Sequence, residues 1–69
     1  MIEVFKTNVQ TAKQSNLLLP ILGKTFPSLK INFDLDDCDK ILRVQGKNIS
    51  PRKIIETLNA EGFHCKILV

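Results

Sequence analysis

Apolar and polar residues alternate strictly over Leu29-Lys30-Ile31-Asn32-Phe33-Asp34-Leu35. A period of two places Leu29, Ile31, Phe33 and Leu35 on one side of a strand, facing a core. Upstream the period changes. Leu17, Leu18, Ile21 and Leu22 stand at i, i+1, i+4 and i+5, the stripe of a helix that buries one face. This predicts a helix over about 10–22, closed by Gly23 as a left-handed residue. Pro20 falls inside it, lacks an N–H and crowds the carbonyl four residues back, so a kink or a late helix start is expected. The second helix is marked at both ends, with Ser50 as N-cap, Pro51 at the first helical position and Gly62 at the close. Ile54, Ile55 and Leu58 form its buried stripe. Three further strands are expected at 2–7, 40–45 and 63–69, from their β-branched and aromatic content. Leu42 and Val44 face inward in the third. In the fourth, Phe63, Cys65, Ile67 and Val69 share one face, and His64, Lys66 and Leu68 the other.

The element order is strand, helix, strand, twice over, with a turn at Asp36-Asp37-Cys38-Asp39 joining the halves. It predicts one α+β domain over 1–69, a ferredoxin-like βαββαβ sandwich. Its sheet would be antiparallel in the order 4-1-3-2, with both helices on one face. Tracing strand directions brings residues 7–9, 36–39 and 62–64 to a common end of the molecule.

At 69 residues the chain is near the lower limit for independent folding, and its apolar content of 43 % fits a globular domain. No apolar run approaches the roughly 20 residues of a membrane span. The opening Met1-Ile2-Glu3-Val4-Phe5 has no basic region or cleavage site of a secretory signal, so a cytoplasmic protein with no membrane partner is expected. Cys38 and Cys65 are then read as thiols. The net charge is +3, and the ten basic residues are scattered singly apart from Arg52-Lys53. RNA readers of this fold class stack bases on paired aromatics, whereas this chain has four Phe and no Tyr or Trp, which argues against nucleic acid. One His, no Gly-rich phosphate loop and no nucleophile with an evident base argue against an enzyme.

The whole chain resembles the heavy-metal-associated domain of copper chaperones and metal-pump modules. The likeness rests on element order and on the tail running from Ile49-Ser50-Pro51 through Ile54-Ile55-Glu56-Thr57-Leu58 to Glu61-Gly62-Phe63. It implies the same sandwich and a packing role for Phe63. It also implies a Met-x-Cys-x-x-Cys loop after the first strand, whose thiolates hold a soft ion such as Cu(I) or Zn(II). That place reads Thr7-Asn8-Val9-Gln10-Thr11-Ala12-Lys13, with no cysteine. The two ligand positions fall at Gln10 and Lys13, a cation where the metal should sit, so no cofactor is expected.

Other residues could bind copper or zinc. Cys38, His64 and Cys65 are of the right types, but the strand order sets Cys38 and Cys65 about 14 Å apart across three inter-strand gaps. An intermolecular site is the form such a metal carrier would take. Asp34, Asp36, Asp37 and Asp39 read as turn chemistry, since the Gly and closing Glu of an EF-hand loop are missing. The leading expectation is a non-catalytic interaction module that binds another protein or its own copy. Leu19 is its apolar candidate contact, lying about 130° from the centre of the Leu17–Leu22 stripe. Lys13, Arg52 and Lys53 are the charged ones, on the helical side.

Overall fold

A computed structural model describes residues 1–68. In chain order the elements are β1 (Ile2–Thr7), α1 (Ala12–Thr25), β2 (Lys30–Asp34), β3 (Ile41–Gln45), α2 (Pro51–Ala60) and β4 (Cys65–Ile67). The strands form one antiparallel sheet in the order β2-β3-β1-β4, which is the expected 4-1-3-2 read from the other edge. Val69, expected at the end of the fourth strand's core face, lies outside the described residues.

Helix α1 starts later and ends later than its apolar pattern indicates. Thr11 is the N-cap of a capping box. Its hydroxyl accepts the Gln14 N–H at 3.1 Å, while the Gln14 side chain accepts the N–H groups of Gln10 and Thr11. At the other end the helix runs past Gly23, which is interior rather than a terminator. The Phe26 N–H closes on the Leu22 carbonyl at 2.8 Å, and Pro27 blocks further extension. Pro20 does not end the helix either. It is exposed, so its ring faces water rather than the core.

The ends of α2 match the sequence more closely. The Ser50 hydroxyl accepts from the Lys53 N–H, and Pro51 opens the helix. Gly62 takes a φ of +90°. The Gly62 N–H then meets the Asn59 carbonyl and the Phe63 N–H meets that of Leu58, both at 3.0 Å, a Schellman closure.

The core joins Phe5, Leu42 and Val44 of the sheet to Leu18 and Leu22 of α1 and Ile54 and Leu58 of α2, with Val9 from the β1–α1 loop. All eight are fully buried. The buried line of α1 is Ser15, Leu18 and Leu22, not the expected Leu17-to-Leu22 stripe. Leu17 is 62 % exposed, Ile21 is half-buried, and so is Leu19. The Ser15 hydroxyl donates to the Ala12 carbonyl at 3.0 Å, which lets a polar residue sit inside without an orphaned group. Counting Ser15 turns the buried centre by roughly 60° at about 100° per residue, away from Leu17 and toward Leu19. Strand β4 spans three residues instead of seven. Ile67 is 39 % exposed although it pairs with the buried Phe5, because an edge strand has sheet on one side only.

Candidate binding surface

Directly opposed residues in an antiparallel sheet point to the same side, so the register divides the sheet into rows. Toward the helices lie Ile31–Val44–Glu3, then Phe33–Leu42–Phe5–Ile67, then Thr7–Cys65. On the opposite side lie Lys30–Gln45–Ile2, then Asn32–Arg43–Val4–Leu68, then Asp34–Ile41–Lys6–Lys66. The link from Val4 to Leu68 is the Leu68 N–H donating to the Val4 carbonyl at 2.9 Å. This second face is uncovered among the described residues: Ile2, Lys6, Lys30, Asn32, Arg43, Gln45, Lys66 and Leu68 are all exposed. Val4 and Asp34 are half-buried, and Ile41 is buried at 4 %, set between Asp34 and Lys6 in its row.

The uncovered face carries one cation on each strand: Lys30, Arg43, Lys6 and Lys66. Besides the buried Ile41, its apolar members are Ile2 and Val4 on β1 and Leu68 just beyond β4. Ile2 is 58 % exposed and Leu68 38 %. Asp34 is the carboxylate within these rows. Asp39, from the β2–β3 turn, reaches Lys6 at 3.6 Å. In the second and third strands the alternation names only the core-facing half, and in the fourth it also places Lys66 and Leu68 on the other side. The same period of two, applied to the other half, yields this surface.

The common end expected for residues 7–9, 36–39 and 62–64 is present. The Thr7 N–H donates to the carbonyls of Asp39 and Lys40 at 3.2 Å, and the His64 N–H donates to the Asn8 side chain at 2.8 Å. A groove of about 390 Å³ opens there, lined by Lys6, Asn8, Asn59, His64, Cys65 and Lys66. Burial pushes the Cys65 thiol up to about 12. A protonated thiol is a poor nucleophile and a poor metal ligand at neutral pH.

The place matched to the metal loop is occupied by the start of a helix. Gln10 and Thr11 spend their N–H groups on the Gln14 cap, and Lys13 is exposed in the first turn of α1. Cys38 and Cys65 are free thiols, the first exposed and the second half-buried, and His64 is exposed. Cys38, His64 and Cys65 do not form a single ligand cluster among the described residues. The group that does come together is Asp37, Cys38 and Asp39, with ligand atoms within 4.8 Å of one another. There the Asp37 carboxylate accepts the Asp39 N–H at 2.8 Å and Asp39 pairs with Lys6, so turn and ion-pair contacts account for both acids.

The remaining candidates lie on the helical side. Arg52 pairs with Glu56 one turn on, at 3.7 Å, with both side chains exposed, a contact of small energetic weight. Lys53 lines a shallow groove of about 640 Å³ between the helices, together with Ile21 and Phe26. Leu19 is half-buried, and the exposed leucine of α1 is Leu17. No helix of the described residues is long and apolar enough to cross a membrane.

Comparison of the chain with protein-family models, with curated proteins and with solved structures finds no match.

Proposed function

We propose that the chain is a ferredoxin-like, non-catalytic binding domain, similar to the heavy-metal-associated module without its metal loop, and that it works by engaging another protein. The observation that carries this reading is the uncovered sheet face, where Ile2, Val4 and Leu68 lie together on adjoining rows beside exposed polar residues. Apolar side chains rimmed by polar ones mark interaction sites. The likeness to the metal module is supported by element order, by the Ser50-Pro51 helix start and by the Gly62 closure. The loss of its chemistry is supported by Gln10 and Lys13 at the ligand positions, in a stretch that the Thr11–Gln14 capping box turns into a helix start.

The test is selection of short peptides from a displayed random library against the folded domain, with each binder mapped by amide chemical shifts. Shifts should concentrate on 2–6, 41–45 and 66–68. Shifts confined to the groove between the helices would overturn the assignment of the surface.

A further inference from the structure

We propose that the partner of the uncovered sheet face is an acidic, amphipathic segment of another protein, held between the cations of the four strands. The inference rests on the binding-domain reading above and names the chemistry of the partner. Lys30, Arg43, Lys6 and Lys66 come from β2, β3, β1 and β4 in turn, and all four are exposed. Lys6 and Lys66 are directly opposed across β1 and β4. The bonds at Val4–Leu68 and Asn8–His64, two residues to either side, make them a hydrogen-bonded pair. Like charges in opposed positions destabilise a sheet. Lys6 has Asp39 at 3.6 Å as partial compensation, whereas Asp39 is the one acid in an ion pair with this lysine pair among the described residues. A carboxylate from a partner, seated between the two ammonium groups, would remove the repulsion. The apolar pair Val4–Leu68 forms the next row, with Arg43 beside Val4 and Ile2 one row further. A segment that alternates acidic and apolar side chains meets both features.

Two other occupants fit less well. A second copy would set four cations against four, with Asp34 as the one carboxylate in each set of rows. Single-stranded nucleic acid would gain from the cations but needs aromatic platforms for its bases. Phe5 and Phe33 lie in the helix-facing rows, and Phe26 and Phe63 pack against the core.

The experiment uses four labelled probes: short peptides alternating Glu with Leu, Gln with Leu and Lys with Leu, and an oligothymidylate of matched length. Binding is read by fluorescence anisotropy, and the site by amide shifts. The Glu–Leu peptide should bind on 2–6, 30–34, 41–45 and 66–68. Its affinity should fall steeply between about 0.01 M and about 1 M salt, as the screening length shrinks from about 30 Å to about 3 Å. Lys66→Glu should weaken it about tenfold, and Lys24→Glu, the same charge change on α1, should leave it unchanged. Equal binding by the Gln–Leu peptide at the same residues would overturn the acidic partner and leave the binding face standing. Tighter binding by oligothymidylate would replace the protein segment with nucleic acid. Binding of none of the four would overturn the acidic partner outright, and the library selection then decides whether the face binds protein at all.

Discussion

The Thr7 hydroxyl donates to the Lys40 carbonyl at 2.6 Å and accepts the Val9 N–H at 3.2 Å. One side chain thereby ties the end of β1 to the start of β3 and fixes the bend that carries Val9 into the core. Thr7→Val keeps the shape and removes both bonds in a site that is 7 % exposed. It should cost about 1–3 kcal/mol in urea unfolding. Thr7→Ser should recover most of that loss.

The exposed position of α1 is Leu17, and Leu18 beside it is fully buried. Leu17→Asp should shift stability by no more than about 0.5 kcal/mol. Leu18→Asp places an unpaired carboxylate in the core and should unfold a domain this small. Leu19→Asp should fall between them. Thermal melts of the three variants check the order.

Pro20 and Gly62 give effects of opposite sign. Pro20→Ala restores a donor for the Asn16 carbonyl at an exposed position and should stabilise by about 1–3 kcal/mol. Gly62→Ala forces a side chain into a φ of +90° and should destabilise by about 1 kcal/mol or more. Paired denaturation curves measure both.

The two thiols should separate by reactivity and by pH. Cys38 is exposed and should alkylate quickly at pH 8, while Cys65, pushed up to about 12 from an ordinary 9.0, should lag far behind. Below about pH 9 Cys65 is protonated in folded and unfolded chains alike and does not affect stability. Between about 9 and about 12 the unfolded chain loses this proton and the native chain keeps it. The unfolded state then binds fewer protons, so stability falls as pH rises. Cys65→Val should remove that part of the alkaline decline, read as the difference between the two pH profiles.

The lysines opposed at positions 6 and 66 predict a gain from charge reversal. Lys66→Glu should stabilise the domain by about 0.2–1 kcal/mol by creating a cross-strand ion pair. The gain should shrink in high salt. A variant that is more stable yet weaker in binding would separate the folding role of this position from its role on the surface.

Much of the architecture was legible in the sequence. The alternation at 29–35 found β2, and Ser50-Pro51 and Gly62 bounded α2, because strand period and capping chemistry are local signals. The buried face of α1 differs from its apolar stripe because its innermost positions include a serine, whose burial depends on a bond to its own helix that hydropathy does not register. Val9 falls in a loop on the sequence pattern, and its burial follows from the Thr7 bend, a tertiary contact with residue 40. The apolar content of Phe63-to-Val69 predicts a strand throughout, whereas the regular strand spans only 65–67, with single bonds to β1 and its following loop from Leu68 and His64 at either side. The acidic turn was legible, but the cation array was not. Its members are 13 or more residues apart in sequence and meet only through the strand order.

The order β2-β3-β1-β4 also sets how the chain must assemble. The two strands of the first strand–helix–strand unit, β1 and β2, are not neighbours, so that unit alone has no strand pair to hold it. β1 finds both partners in the second half of the chain, more than 30 residues away. Each half is therefore a template that only the other can complete. A fragment ending before residue 41 should remain a fluctuating coil, and mixing it with the complementary fragment should restore the fold in one cooperative step.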